Sequence, residues 1–228
     1  YKMKSDRASF DFTYFTTEYN DLQTSVFDGV LGFKVGNASA AELDGFEMQG
    51  RYLITDNLES YASMASLDYK FTDWKNSQCA YGEVGEVASN GVTYCDRSGA
   101  SVILAPEDTA NAGFAYDTVL SNSWVFDANL NVDYSSEYFI TTNLDKNIKE
   151  SGYSKVGLVL GLTSADGKWR VSLIGDNLTD ERIKVVGGTI PLARVFVRLA
   201  SGGALDGIAY DAIYARPKNI AIKLDYNF

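Results

Sequence analysis

The 228 residues carry 30 acidic and 20 basic side chains, a formal net charge of −10, and no histidine. That balance argues against a protein that grips nucleic-acid phosphates, and the missing imidazole removes Ser-His-Asp and Cys-His catalysis, histidine metal sites and the usual pH switch. A hydrophobic content of 46% excludes disorder, two cysteines exclude a four-cysteine zinc centre, and the longest clean apolar run, Val156 to Leu162, is far short of the ~18 residues of a membrane helix.

Most of the chain shows a hydrophobic period of two, the mark of strands. In chain order the pattern predicts eight of them, at about 5–27, 32–55, 57–74, 110–120, 123–143, 153–164, 168–185 and 216–228. In the first, Ala8, Phe10, Phe12 and Tyr14 alternate with Ser9, Asp11 and Thr13. In the second, Phe46, Met48 and Tyr52 alternate with Glu47, Gln49 and Arg51. The fifth sets Phe126, Ala128, Leu130, Val132 and Tyr134 against Asp127, Asn129, Asn131 and Asp133. The last sets Ile220, Ile222, Leu224, Tyr226 and Phe228 against Ala221, Lys223, Asp225 and Asn227. No helix is predicted. The chain opens at Tyr1 without an initiator Met or a signal peptide, and Tyr1 to Thr16 reads as mid-domain sequence, so a processed chain or a piece of a longer one is expected.

A soluble sandwich also alternates, because one face meets the core and the other meets water. Here the segments keep their alternation over roughly ten residues, the ~9–11 that a tilted membrane strand needs, against about 5–6 for ordinary strands. Aromatic residues mark the segment ends: Trp124 and Trp169 just after turns, and Tyr69, Trp74, Tyr134 and Tyr138 toward the other ends. Rings of this kind prefer the membrane–water boundary, so two aromatic girdles are expected. The connections divide into short polar turns (Thr55-Asp56-Asn57, Ser121-Asn122-Ser123, Ala165-Asp166-Gly167) and long stretches at about 75–109 and 186–215, with a medium one near 143–152. Up-and-down strands place all the short turns on one side and the long loops on the other, as in outer-membrane barrels.

Several stretches resemble the C-terminal barrel portion of the TonB-dependent outer-membrane receptors. They are Phe15 to Val26 with its Asp-Leu-Gln step, Gly36-Asn37-Ala38 followed by Gly45-Phe46-Glu47, Trp169 to Glu181 with Asn177-Leu178-Thr179-Asp180, and Asn219 to Phe228 with its terminal Phe. Arg216-Pro217 reverses the order that the family often shows before its last strand. The likeness spans nearly all of residues 1–228 and implies an all-β, antiparallel up-and-down transmembrane barrel. These residues would supply about eight C-terminal strands of twenty-two, in the outer membrane of a Gram-negative bacterium. It also implies a plug and a TonB-contacting segment on the N-terminal side, neither of which lies in these residues.

The resemblance implies a receptor for TonB-dependent uptake of a scarce nutrient, such as a siderophore or other metal complex, held at the external loops. The other implied partners are outer-membrane lipid, TonB through the N-terminal region, and the outer-membrane assembly machinery. No cofactor, metal, catalytic residue or nucleic acid is implied. Tyr226 and Phe228 resemble the C-terminal signal that the assembly machinery reads, the alternative being an ordinary edge strand. Arg194, Phe196, Arg198, Tyr210 and Tyr214, in the last long loop, are candidates for substrate contact or for packing within the loop. Cys79 and Cys95 share one long loop. In the oxidising compartment outside the inner membrane a loop-stapling disulfide is expected, worth ~3 kcal/mol in the chain-entropy model, against free thiols or a metal pair.

The inward carboxylates Asp127, Asp133, Asp176 and Asp225 fit a polar lumen without catalysis. Glu83, Glu86, Asp96, Glu107 and Asp108 match no calcium loop, and the pairs Gly187-Gly188 and Gly202-Gly203 lack the strand-and-helix setting of a phosphate loop. Two other functions compete with transport. One is a complete, small eight-stranded barrel with a structural or adhesive role. The other is a barrel enzyme, disfavoured by the lack of histidine.

Overall fold

The computed structural model describes residues 1–27, 33–87, 91, 93–190, 193–203 and 207–228. Its elements in chain order are β1 (Lys2–Lys4), β2 (Ala8–Phe27), β3 (Phe33–Thr55), β4 (Leu58–Asp73), β5 (Ser77–Gln78), β6 (Glu86–Val87), β7 (Thr93–Cys95), β8 (Asp108–Val119), β9 (Val125–Ser135), a single 3-10 turn (Lys146–Ile148), β10 (Tyr153–Thr163), β11 (Trp169–Asp176), β12 (Lys184–Thr189), α1 (Ala193–Ala200), β13 (Tyr210–Tyr214) and β14 (Asn219–Tyr226).

Nine strands form one antiparallel sheet in the order β1-β2-β3-β4-β8-β9-β10-β11-β14. The sheet stays open. Phe10 pairs with Met3 and Gly50, and Ile222 pairs with Leu173, so the strands carrying Phe10 and Ile222 lie toward opposite edges. An open sheet is what part of a larger wall requires, and it disfavours the alternative of a closed eight-stranded ring. The count also rises from eight, because Lys2–Lys4 turns back onto β2 where a single strand was expected from about residue 5.

Register aligns the alternating residues into two faces. One row runs Ile222, Leu173, Leu160, Ala128, Tyr116 and Leu58, and the next runs Leu158, Leu130, Phe114, Ser60 and Tyr52. This face is mostly apolar and, among the described residues, its outer strands pack on nothing: Ile220, Ile222 and Leu224 are 60%, 77% and 61% exposed. It is bordered by aromatic residues. Toward the short-turn end stand Tyr52, Tyr116, Phe126, Trp169 and Tyr226, with Trp169 and Tyr226 ring centres 4.4 Å apart. Toward the other end stand Tyr14, Phe46 and Tyr134.

The opposite face is polar and bonded to itself. Arg170 reaches both oxygens of Asp127, at 2.6 and 2.8 Å. Asn111 and Asn131 both donate to Asp133, and the Tyr61 hydroxyl donates to Asn129. Gly161 lies beneath the Arg170–Asp127 pair, where a Cβ would collide with Arg170 Nη2 and the Asp127 carboxylate, so the pair fits because no side chain is there.

The turns at 5–7, 56–57, 120–124 and 164–168 lie at one end of the sheet, and the segments 74–107, 136–152 and 177–218 leave the other. In the 164–168 turn Gly167 takes φ 70°, a left-handed conformation that glycine adopts without strain, while Asp166 accepts from the Ser164 hydroxyl and the Lys168 amide.

The fifth and seventh predicted strands end early, at Ser135 and Asp176. Ser136 is turned to accept the Asp108 amide, and Asn177 at φ 48° breaks the extended backbone. β2, β3 and β4 continue past the apolar band, and there Ala41 of β3 and Phe71 of β4 form a small core with Trp74 and Val102 of the 74–107 segment. Trp74 is therefore not in a girdle: its ring meets Phe71 at 4.4 Å and only 4% of it is exposed. Tyr69 packs against this core, and Tyr138 belongs to the 136–152 segment, where it bridges Glu150. Among the described residues, no helix is long and apolar enough to cross a membrane.

Candidate functional site

The described residues of the three long segments at one end of the sheet make contacts of their own. In 74–107, β5, β7 and β6 form a three-stranded sheet, and Cys79 is bonded to Cys95 with Cα atoms 5.0 Å apart. Arg97, two residues beyond the bridge, grips both carboxylate oxygens of Glu83 at 3.0 and 2.5 Å and donates to the Gln78 carbonyl at 3.3 Å. That guanidinium, with help from the Ala80 amide, holds the Glu83 carboxyl below its ordinary range against the opposing effect of burial. Glu83 and the two sulfurs lie within 4.8 Å of one another. Sulfurs joined to each other carry no thiolate charge, so the oxidised loop offers a metal no thiolate there. Beside them is an open hollow of about 620 Å³ lined by Lys75, Glu83, Tyr94, Asp96 and Arg97, among others.

In 136–152 the residue that organises the backbone is Asp145, 1% exposed. One carboxylate oxygen caps the 3-10 turn by accepting from the amide and the side chain of Asn147, each at 2.9 Å, and the other accepts the Tyr210 hydroxyl at 3.0 Å. Burial, and then the Asp145 carboxylate, push the Tyr210 phenol up. Glu150, 3% exposed, accepts the Lys184 amide at 2.6 Å with the Lys184 ammonium 3.6 Å away.

In 177–218 the Asn-Leu-Thr-Asp stretch fastens the loop's entry to its exit. Asn177 donates to the carbonyls of Glu181 and Arg216 and accepts the Glu181 amide, and Asp180 accepts the Lys218 amide. Asn177 and Asp180 take φ 48° and 58°, a conformation that Asn and Asp tolerate better than most residues. Between these ends β12 pairs with β13 and α1 follows β12, so the region expected to be irregular holds a hairpin and a helix. Gly187 permits the hairpin to dock: a Cβ there would meet Ile148 Cδ1 and the Asp211 carbonyl, both at 2.8 Å.

The five candidate contact residues lie on two elements. Arg194, Phe196 and Arg198 are on α1, with the Arg194 guanidinium 5.9 Å from the Tyr81 ring centre and Phe196 63% exposed. Tyr210 and Tyr214 are on β13. The Tyr210 hydroxyl is committed to Asp145 and Asn147, whereas Tyr214 is 53% exposed. Tyr226 and Phe228 are at the short-turn end, their rings 5.0 Å apart edge to face and Phe228 fully exposed. Sequence reading missed Arg97, Asp145 and Glu150, which tie the loops together. Asp145-Lys146-Asn147 carried the one usable signal, an Asx-type cap, and it stood among other polar residues without a hydrophobic period beside it.

The profile of the family described as "TonB dependent receptor-like, beta-barrel" matches residues 1–178. A search of the curated proteins found no match. Among solved structures, the ferric yersiniabactin uptake receptor FyuA from Yersinia pestis superposes with a TM-score of 0.71 at 13% identity, over 100% of this chain and 28% of its own. The siderophore receptor PiuA from Acinetobacter baumannii gives 0.63 at 16% identity, over 97% of this chain and 26% of its own. The copper transporter OprC gives 0.65 at 14%, over 100% and 30%. At these identities the likeness is one of fold, and the chain spans under a third of each protein's length.

Proposed function

The chain belongs to the TonB-dependent receptor-like β-barrel family, and from that premise we propose that it is part of a Gram-negative outer-membrane receptor for TonB-dependent uptake of a siderophore or another metal complex. The observation that carries the reading is the segregation of the main sheet into an exposed apolar face edged by aromatic residues and a polar face bonded to itself. The apolar face has the composition of a lipid-facing wall, and the polar face that of a wet lumen. Short turns at one end and long loops at the other then read as the periplasmic and external sides.

The cargo class is drawn from the fold neighbours: two are receptors for ferric or siderophore cargo by their descriptions, and the third is a copper transporter. In this reading residues 1–228 are part of a twenty-two-stranded wall. A plug and a TonB contact lie elsewhere in the same protein, and the assembly machinery engages Tyr226 and Phe228. Of the five proposed contacts, Phe196 and Tyr214 offer the most exposed apolar and aromatic surface to a cargo.

The test is uptake by the full-length protein that carries this chain, produced in a Gram-negative host deleted for its own ferric and copper receptors. Radiolabelled iron is offered on a panel of siderophores, and copper is offered separately. Outer-membrane fractionation with accumulation that disappears in a host lacking TonB is the expected result. A protein found outside the outer membrane, or accumulation that does not depend on TonB, overturns it.

A further inference from the structure

We infer that the segments 74–107, 136–152 and 177–218 form one mechanical unit, and that the Cys79–Cys95 bridge holds the second segment in place as well as the first. The inference goes beyond the receptor reading and needs none of its cargo. The route can be followed atom by atom. The bridge joins β7 to the residue after β5, and so sets Arg97 against the Gln78 carbonyl on one side and Glu83 on the other. The guanidinium, only 11% exposed, then crosses to the next segment and donates to the Asn143 carbonyl at 2.6 Å. That carbonyl opens the tight run in which Leu144 takes φ 52° and Asp145 is buried under Thr141 and Asn147. Asp145 and Glu150 in turn hold Tyr210 and Lys184 of the third segment, whose Gly187 is packed against Ile148.

The bonds made by Arg97, Asp145 and Glu150 between segments are charge-assisted hydrogen bonds whose ions are largely buried, the kind that is costly to leave half made. The amide of Leu104 adds a further tie from the first segment to the Phe139 carbonyl of the second. A movement of one segment by itself would part Arg97, Asp145 or Glu150 from its partner in the next segment. The unit is therefore expected to shift as a body about its strand ends.

The test is amide hydrogen exchange on the full-length protein in detergent, comparing the parent with two variants: Cys79→Ser with Cys95→Ser, and Arg97→Met, which leaves the bridge intact. Both are expected to speed exchange of amides 143–150 at least tenfold, although neither alters that segment, while β9 and β10 keep their protection. Acceleration confined to 75–107 in the bridge variant overturns the inference. So does an Arg97→Met variant that leaves 143–150 at parental rates, a result that stands even if the double serine variant fails to assemble.

Discussion

Replacing Leu160 and Val159 separately by arginine tests the assignment of the two faces, because neighbouring residues point to opposite sides. On β10 the apolar band runs from Ser154, which pairs with the aromatic border residue Tyr134, to Ser164, whose amide bonds to the Trp169 carbonyl. Ten steps at about 3.4 Å, tilted by roughly 40°, span about 26 Å, the ~25 Å height of the apolar band in outer-membrane barrels. Leu160 is one step from the centre of that span and pairs with Ala128 and Leu173, both on the apolar face. Arginine at the midplane of a lipid-facing wall costs about 2–4 kcal/mol, whereas in a wet lumen it stays solvated. Leu160→Arg is therefore expected to destabilise the folded protein by about 2–4 kcal/mol, and Val159→Arg by under about 1 kcal/mol. Urea titration in lipid vesicles, scored by the mobility difference between unheated and boiled samples on gels, reads both. Equal costs, or a larger cost at Val159, would refute the face assignment.

Asp145→Ala removes three hydrogen bonds to a buried carboxylate and should raise local opening of the 136–152 segment by about 3 kcal/mol, roughly a hundredfold in amide exchange. Tyr210→Phe, which removes one of the three, should cost about 1 kcal/mol. Because the folded pKa of Glu83 is depressed, the stabilisation by its pairing with Arg97 is complete above its ordinary 4.5 and is lost as pH falls through the lower folded value. Opening of 75–107 should thus be flat from pH 7 to pH 5 and rise below about pH 4.5. Glu83→Gln should remove that step, and a step left intact would assign it to another group. Phe228→Asn deletes the last aromatic residue of the apolar row and should lower the amount of protein assembled in the outer membrane; unchanged levels on fractionation would count against an assembly role.

Period-two spacing made the strands legible because one rule governs the whole wall: residues two apart on a strand share a face, and each face has one predominant environment. Ile220, Ile222 and Leu224, or Phe126 to Tyr134, thus revealed their faces without any knowledge of the partner strand. That rule stops where the wall stops. Trp74 and Tyr138 have the composition of border residues, but they lie beyond the band, where a local core or a loop contact decides their environment. Within the loops, α1 and the β12–β13 hairpin are short and take their stability from docking, so the eight residues from Ala193 to Ala200 were too short a window to read as a helix. Arg97, Asp145 and Glu150 became buried through contacts between segments far apart in sequence. No local pattern announces such burial. Asn177-Leu178-Thr179-Asp180 was visible as a motif, but its work of clamping the loop's entry to its exit emerged only from the distances.

The open edge of the sheet carries the last prediction. β14 pairs with β11 through all eight of its residues, from Asn219 to Tyr226, and the backbone groups on its other side have no strand among the described residues. In an antiparallel edge strand about half of the N–H and C=O groups point outward. Water satisfies them in solution, but in hydrocarbon each costs several kcal/mol, so an edge of this length carries an energy comparable to the stability of a whole domain. The edge of β2 from Thr13 onward presents the same difficulty, since β1 covers only its first residues. Residues 1–228 produced alone are therefore expected not to enter lipid vesicles as monomers. They should remain in the aqueous phase, aggregate, or pair edge to edge with further copies. Analytical ultracentrifugation of vesicles in density-matched buffer separates these outcomes. A monomer inserted in the bilayer, resistant to protease and with its strand amides protected, would mean that the two edges find each other after all, and would restore the small closed barrel.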